Sequence, residues 1–425
     1  MKKLVILLFI CSQFMQSQNT NIEADIAEIE SKIIEWRRYF HQNPELSNRE
    51  FNTAEKIAEH LKGLGLEVQT GIAKTGVVAI LKGDKPGKVV ALRADIDALP
   101  VTERNDLPFK SEVKTEFLGT PTGVMHACGH DTHIAILMGV AEILSKHKEK
   151  INGTVKFIFQ PAEEGPPPGE EGGAKLMIKE GVMNNPKVDA IFGLHISSDT
   201  PVGTIEYKPG GIMASVERFV ITVKGKQTHG SQPWAGVDPI LISAKIIDGL
   251  QTIISREAPL TKEAAVITVG KITAGTRFNI IPESAELIGT VRTLDKGMRT
   301  LIERRMTEMV TTLAKAYGGE AEITFQNNAG ITFNNPNLVA QMLPSLQKVA
   351  GDDHVQLCKA TTGGEDFSFF QEVVPGFYFF LGGMTPGNTE AFPHHTPDFM
   401  IDESGMLLGV KTFVALTFDY LNTKN

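Results

Sequence analysis

The first two hundred residues alternate short apolar runs with stretches in which apolar residues recur at helical spacing. The apolar runs are six or seven residues long, which is typical of buried strands. They lie at 76–82, 88–94, 154–159 and 189–194. The same patterning predicts amphipathic helices at 22–40, 47–64, 134–144 and 170–180. This alternation predicts an α/β domain built on a sheet.

The order of elements changes near residue 210. Strands are predicted at 217–224, 264–272, 283–293 and 320–325, with helices at 239–254 and 297–317. The resulting order, β-α-β-β-α-β, is that of the ferredoxin-like unit. After residue 336 the helix–strand pattern of the first half returns, including an apolar run at 376–381. We therefore predict a discontinuous catalytic α/β domain at 19–212 and 329–425, with a small domain inserted at 213–328.

The N-terminus has the pattern of a secretory signal peptide. Two lysines precede an uncharged apolar run at 4–10, and small and polar residues follow. The run is too short to span a bilayer, and the bulky Ile10 disfavours a lipoprotein anchor at Cys11. We predict a signal peptide at 1–18, export to the periplasm or beyond, and no transmembrane span in the mature chain.

Length and charge narrow the class of protein further. The chain has 425 residues and a formal charge of −8. The length favours two domains. The negative charge argues against a surface that binds nucleic acid or anionic membranes.

Residues 125–133 contain three His, one Cys and one Asp, which are side chains that bind borderline-soft divalent metals. Cys128 and His130 are two positions apart, so a turn lets both reach one metal region. Asp131 could then support a histidine from behind. A structural alternative is that Asp131 caps the helix that follows. The two remaining histidines fit either a supporting or a packing role.

Two adjacent acids, Glu163 and Glu164, come directly after another apolar run. Neighbouring acids repel each other unless a cation or a proton separates them. Their side chains also diverge, so one can bind a metal while the other acts as a general base toward water. The alternative is a solvated acidic loop that continues to Glu170 and Glu171.

A lone histidine at the end of a strand is weak evidence for a metal site. Several candidate ligands taken together are stronger evidence. They form a set of five metal ligands: Cys128, His130, Glu164, His195 and His395. Five ligands exceed one tetrahedral site and suit two metals that share a bridging water.

The predicted insert carries further candidates. His229 falls between a strand and a helix, where a mobile lid could bring it to a tetrahedral oxyanion. Arg277 and Asn279 offer a cation and an amide for a substrate carboxylate. A loop histidine and a solvated arginine explain the same residues equally well. Further along the chain, Glu365 and Asp366 form a glycine-lined acidic turn that fits either a metal-supporting or a substrate-facing role.

Together these motifs resemble the aminoacylase-type metallopeptidases. The closest likeness is to the amidohydrolase branch with hippurate hydrolases, N-acyl-amino-acid amidohydrolases and plant auxin-conjugate hydrolases. It is carried by RADIDALP at 93–100, MHACGHD at 125–131, QPAEEG at 160–165 and HTPDF at 395–399. It extends from about residue 33 to residue 418. The resemblance implies a zinc-peptidase-like mixed sheet flanked by helices, with the ferredoxin-like insert as an α+β lid and dimerisation domain.

The resemblance also implies roles for single residues. The five ligand candidates would hold the metals, Glu163 would be the base, and Asp97 would be an orienting residue behind them. His229 would be the lid donor, and Asn279 would help to hold the substrate. Peptidases that resemble this branch have a histidine where this chain has Asp95, so we do not assign a ligand role to Asp95.

The sequence therefore predicts a metal-dependent amidohydrolase that cleaves a small N-acyl amino acid into an acyl acid and a free amino acid. Two divalent ions are expected, zinc or manganese, with cobalt or nickel as substitutes. We also expect a homodimer formed through the insert. The alternatives are a dipeptidase or carboxypeptidase with the same site, or a non-catalytic periplasmic ligand-binding protein. The last would not need a base, Glu163, beside the ligand Glu164.

Overall fold

The computed structural model describes residues 22–423. The predicted signal peptide at 1–18 lies outside these residues. Within 22–423, no helix is both long enough and apolar enough to cross a membrane.

The helices largely follow the predicted pattern, and residues 22–28 are also helical. They are α1 (Glu30–Gln42), α2 (Phe51–Gly63), α3 (His130–Lys146), α4 (Gly173–Lys179), α5 (Pro239–Thr252), α6 (Lys296–Ala316), α7 (Pro336–Ala350), α8 (Ser368–Val373) and α9 (Met406–Asn422).

The strands include all of the predicted ones and several short additions. They are β1 (Glu67–Ile72), β2 (Gly76–Lys82), β3 (Lys85–Asp95), β4 (Lys114–Phe117), β5 (Thr120–Gly123), β6 (Asn152–Gln160), β7 (Ala190–Pro201), β8 (Ile205–Tyr207), β9 (Gly210–Met213), β10 (Val216–Lys224), β11 (Thr228–His229), β12 (Ala265–Ala274), β13 (Ile280–Ile281), β14 (Ser284–Thr293), β15 (Glu320–Ala329), β16 (Thr332–Asn334), β17 (Val355–Leu357) and β18 (Gly376–Met384).

The chain divides into two compact units. The first contains the described residues up to Pro209, Asn334–Cys358 and the chain from Phe369 onward. The second contains Gly210–Phe333 and Lys359–Ser368. The predicted insert, 213–328, lies inside the second unit, which also takes a short segment of the returning chain.

The first unit is built on an eight-stranded mixed sheet in the order β1-β2-β6-β3-β7-β18-β8-β17. The strand β3 runs parallel to β6 and β7, and β7 runs parallel to β18. Their carboxyl ends therefore meet at one edge of the sheet, where α/β proteins place their sites. The buried side chains of α3 join those of the central strands in one core. The predicted α/β class with a mixed sheet is confirmed.

One predicted boundary is wrong. The strand β7 was expected to end at His195, but it runs on to Pro201. Its parallel partner β18 continues beside it as far as the pair Met384 and Pro201. His195 therefore lies within a strand, and its pairing with Phe380 of β18 fixes its backbone.

The second unit contains a four-stranded antiparallel sheet in the order β12-β14-β10-β15. Two helices, α5 and α6, pack on it around a separate apolar core. Asp238 and Asp295 cap these helices by accepting hydrogen bonds from the backbone N–H groups of Ile240 and Met298. Sheet order and connectivity are those of the ferredoxin-like unit. Its role as a lid stays a prediction.

Candidate metal centre

A left-handed glycine positions the His-Cys segment at the start of α3. Gly129 is the N-cap residue and has φ +90°. A Cβ added to it would lie 2.4 Å from Cγ2 of Ile196, so only glycine fits here. The turn places Cys128 before the helix and His130 at its first position.

All five predicted ligands come together in the first unit. The Cys128 Sγ lies 3.3 Å from the His195 Nε2 and 3.2 Å from the His395 Nε2. The Glu164 Oε1 lies 3.1 Å from the His395 Nε2 and 3.9 Å from the His130 Nε2. Residues from four separate parts of the chain thus direct soft and hard donor atoms toward one small volume.

Backbone carbonyls fix the orientation of two of the histidines. The Nδ1 of His130 lies 2.9 Å from the carbonyl oxygen of Asp97, and that of His195 lies 2.6 Å from the carbonyl oxygen of Ile196. A carbonyl can only accept, so each Nδ1 carries a proton, and in the neutral ring the Nε2 is then the nitrogen that can bind a metal. This arrangement is the one that metal-binding histidines adopt in proteins.

Unsatisfied polar atoms show that the cluster fits a cation. The His130 Nε2 and the Glu164 Oε1 are buried and make no hydrogen bond within residues 22–423. Burial, reinforced by the charge of Glu164, raises the pKa of Cys128. Burial and the neighbouring His133 lower the pKa of His195, which keeps its imidazole neutral. A divalent ion would satisfy the orphaned atoms and offset the buried negative charge.

The histidine preceding His395 lies beside the same cluster. Ligand atoms of Cys128, His195 and His394 lie within 4.8 Å of one another. However, the Nε2 of His394 accepts a hydrogen bond from the N–H of Ser198 at 3.2 Å. The ring of His394 also packs against Phe399, with centroids 4.6 Å apart. The Nδ1 of His394 is buried and makes no hydrogen bond among residues 22–423, so His394 is a second candidate beside the predicted ligand His395.

Asp97 connects two of the ligand candidates. One carboxylate oxygen accepts hydrogen bonds from the Ser47 hydroxyl at 2.7 Å and from the Glu164 N–H at 3.0 Å. Its backbone carbonyl accepts from His130. Its contacts are those of a residue that orients ligands.

Asp95 is engaged on both carboxylate oxygens. Its Oδ2 lies 2.5 Å from the Arg93 Nη1, and its Oδ1 lies 2.5 Å from the His133 Nδ1. The other ring nitrogen of His133 accepts from the N–H of Ile196 at 2.8 Å. Asp95 therefore takes part in a buried ion-pair network, and ligand atoms of Asp95, His130 and His133 also lie within 4.8 Å of one another.

The alternative interpretation of Asp131 as a helix cap is wrong. The N-cap of α3 is Gly129, and no side chain caps it. The Asp131 carboxylate instead contacts Arg37 Nε and His41 Nδ1 on α1, each at 2.8 Å. Sequence analysis missed both partners because they lie about ninety residues away.

His41 lies between two carboxylates, Asp131 at 2.8 Å and Glu103 at 3.1 Å. Burial alone would lower the pKa of His41, but hydrogen bonds to both acids outweigh burial and raise it. The stabilisation is therefore full below the unfolded-state pKa of about 6.5 and is lost as the pH rises through the higher folded-state pKa.

Replacing His41 with Gln is expected to lower the free energy of unfolding by about 3 kcal/mol at pH 6, because two buried acids lose a cationic partner. The penalty should shrink by pH 9. Urea unfolding at both pH values measures it, with the exposed His354→Gln as control. An equal penalty at pH 6 and pH 9 would contradict a protonated His41.

The second unit brings two further candidates together. His229 pairs with Ile280 across the β11–β13 ladder, and the carbonyl of Asn279 accepts from the N–H of Gly230 at 2.8 Å. His229 is exposed, whereas the Asn279 Oδ1 is buried without a hydrogen bond inside the described range. Arg277 is exposed.

A different arginine in the second unit was missed by sequence analysis. Arg292 on β14 is half-buried, and its guanidinium forms no ion pair or hydrogen bond with any residue from 22 to 423. Burial lowers its pKa. Its Nη1 lies 3.5 Å from the position of a Cβ on Gly364, beside the acidic turn of Glu365 and Asp366. In the sequence it is one of many strand cations, so no signal marks it.

Comparison with known proteins identifies the class. A model of peptidase family M20/M25/M40 matches residues 91–419, so the chain belongs to this family. Among similar proteins, the N-acetylcysteine deacetylase of Bacillus subtilis is 39% identical over 92% of this chain and 98% of its own. The chain is a hydrolase of the amidohydrolase branch, as the motifs predicted.

Two other similar proteins are peptidases. Thermostable carboxypeptidase 2 of Saccharolobus solfataricus is 42% identical over 94% of this chain and 98% of its own. The crystal structure of Bacillus subtilis YXEP, a dinuclear metal-binding peptidase, matches with a TM-score of 0.78 at 37% identity, covering 94% and 100% of the two chains. Membership in a hydrolase family sets aside the alternative of a non-catalytic binding protein.

Proposed function

We propose that this protein hydrolyses the amide bond of N-acyl amino acids with two divalent metal ions. The observation that carries the proposal is the convergence of the five donors, two of them histidines locked by backbone carbonyls. The ligands would be Cys128, His130, Glu164, His195 and His395. Cysteine and histidine suit zinc, the carboxylates suit manganese, and cobalt or nickel could substitute.

The metal pair, when bound, would supply Lewis acidity and lower the pKa of water. Glu163 lies next to the ligand Glu164, and its Oε2 is 3.9 Å from the His130 Nε2. In this proposal Glu163 accepts a proton from the attacking water and returns it to the leaving amine. Water adds to the carbonyl carbon, the C–N bond breaks, and a carboxylic acid and a free amine result. His229 would donate a hydrogen bond to the oxyanion.

The second unit offers groups for the α-carboxylate of the substrate. Arg292 is a half-buried cation with no anionic partner among the described residues, and the side-chain NH2 group of Asn279 can donate a hydrogen bond to a carboxylate. A guanidinium in such surroundings binds a carboxylate bidentately. These two residues support an amino acid, rather than a simple amine, as the leaving group.

Replacing Arg292 with Ala is expected to raise KM for an N-acyl amino acid about tenfold to a hundredfold, the cost of one charged hydrogen bond. The same variant should barely change hydrolysis of the corresponding C-terminal amide. Exposed Arg256→Ala, in the same unit, is the matched control. An equal rise in KM for the acid and the amide substrates would show that Arg292 does not bind the carboxylate.

The carboxypeptidase relative favours a second candidate, removal of a C-terminal residue from a peptide. The two activities share the chemistry and differ in the group before the scissile bond. Product analysis by mass spectrometry on N-acetyl, N-benzoyl and dipeptide forms of one amino acid separates them. We expect the acylated forms to be cleaved about tenfold faster or more than the dipeptide. The reverse order would assign the protein to the peptidases.

We further propose that the chain is exported and that it forms a homodimer through the second unit. The basic and apolar N-terminus supports export. The edge strand β12 exposes Val266 and Ile272, which supports pairing of two copies. Mass spectrometry of the mature N-terminus and light scattering in solution test these two proposals.

A further inference from the structure

The four-residue segment 47–50, just before α2, contacts the turn that carries Glu163 and Glu164, which we call the 163–164 turn. Of its four residues, Ser47, Asn48 and Glu50 are buried. In the sequence this segment indicated only the start of a helix. Its side chains contact residues on both sides of Glu163 and Glu164.

Glu50 is the N-cap residue of α2, yet its side chain does not cap the helix. Glu45 does so instead, because its carboxylate accepts hydrogen bonds from the N–H groups of Asn52 at 3.2 Å and Thr53 at 2.8 Å. The helix therefore has its cap without Glu50. Capping does not explain why this carboxylate is buried.

The Glu50 carboxylate is directed at the chain leaving β6. Its Oε1 accepts a hydrogen bond from the Ala162 N–H at 2.9 Å, and its Oε2 accepts from the Thr75 hydroxyl at 2.6 Å. Ala162 has φ +51°, a conformation that residues other than glycine rarely adopt. It immediately precedes Glu163. By accepting this hydrogen bond, Glu50 holds the strained Ala162 at the point where the side chains of Glu163 and Glu164 begin to diverge.

Two neighbours of Glu50 hold the same turn from other directions. The Ser47 hydroxyl donates to the Asp97 carboxylate, which accepts the Glu164 N–H. The Asn48 side chain donates to the Glu171 carbonyl at 3.1 Å, beyond the turn. The segment 47–50 therefore supports the 163–164 turn at three points: at Ala162 before it, at Glu164 within it through Asp97, and at Glu171 after it.

Burying the Glu50 carboxylate lowers the stability of the fold. Burial, with a further contribution from nearby Asp97, raises the pKa of Glu50 to about 7. A buried acid that serves no helix is typical of groups that support a functional site.

We propose that Glu50 is a positioning residue, whose acceptance of the Ala162 N–H fixes the directions in which Glu163 and Glu164 leave the chain. The inference rests on the proposed roles of these two acids. Because Glu50 acts through geometry, the length of its side chain matters more than its charge. Asp at this position is too short to reach Ala162, whereas Gln keeps an acceptor oxygen at the same distance.

The test compares Glu50→Asp and Glu50→Gln at saturating Mn²⁺, with rates expressed per folded, metal-loaded chain. We expect Glu50→Asp to lower kcat about tenfold to a hundredfold, the cost of a misplaced catalytic group, with KM nearly unchanged. Glu50→Gln should keep kcat within about threefold of wild type. Glu45→Asp, the same shortening in the true cap, should lower the melting temperature and leave kcat unchanged.

Two outcomes would overturn the inference: full kcat in Glu50→Asp, or an equal loss in the Asp and Gln variants. Glu163→Gln, measured alongside, separates this inference from the proposed function. Full activity in Glu163→Gln would refute the base itself. An inactive Glu163→Gln beside a fully active Glu50→Asp would refute only the positioning role.

Discussion

Glu163→Gln is expected to lower kcat about a thousandfold while leaving the bound metal content unchanged. The magnitude follows from the loss of general acid–base catalysis, which contributes about 10²–10⁴-fold. Gln has the size of Glu and cannot accept a proton at neutral pH. Steady-state kinetics together with metal analysis of the same sample would measure both quantities.

The control for Glu163→Gln is Glu170→Gln, a change in an acid of the adjoining loop. Glu170 bonds to Arg49, Lys74 and Asn48, and none of these is a ligand candidate. Turnover should therefore stay near wild type. A Glu163→Gln enzyme with normal kcat, or one that has also lost metal, would contradict a base that is separate from the ligands.

Glu164→Gln is expected to have the opposite signature, with loss of metal as well as activity. The Oε1 of Glu164 is buried, makes no hydrogen bond among residues 22–423, and lies 3.1 Å from the His395 Nε2 and 3.9 Å from the His130 Nε2, so it is the carboxylate best placed to bind an ion together with these histidines. Loss of a supporting contact costs about 10–100-fold in metal affinity, and loss of a ligand should cost more.

The measurement is metal content after dialysis, followed by kcat in excess Mn²⁺. Partial recovery of kcat in excess metal is expected of Glu164→Gln and not of Glu163→Gln. If Glu163→Gln and Glu164→Gln bound the same amount of metal, the assignment of Glu163 as base and Glu164 as metal ligand would be wrong.

The strands that carry the centre could be predicted because both of their faces are buried. Apolar residues dominate β2 and the parts of β3 and β6 at 88–94 and 154–159, and the predicted β2 matches the structure from Gly76 to Lys82. The strand β1 was missed because it is an edge strand with mostly exposed residues. A buried strand requires apolar residues that can be recognised in the sequence, whereas an exposed edge strand does not.

The candidate centre shows the same division between local and distant signals. Cys128, His130 and the two glutamates could be predicted because their chemistry is concentrated in short segments. The partners that hold them could not. His41 approaches Asp131 from ninety residues away, and the Glu50 carboxylate meets Ala162 across a separation of 112 residues. Only the fold brings such pairs together.

The most direct test of the central claim is a metal titration of chelator-treated protein, with release of free amino acid from an N-acyl amino acid as the readout. We expect no release without metal and a rise to a plateau near two equivalents of Mn²⁺ or Zn²⁺ per chain. Undiminished release from the metal-free protein, or no release from any acylated amino acid when two ions are bound, would contradict a metal-dependent amidohydrolase.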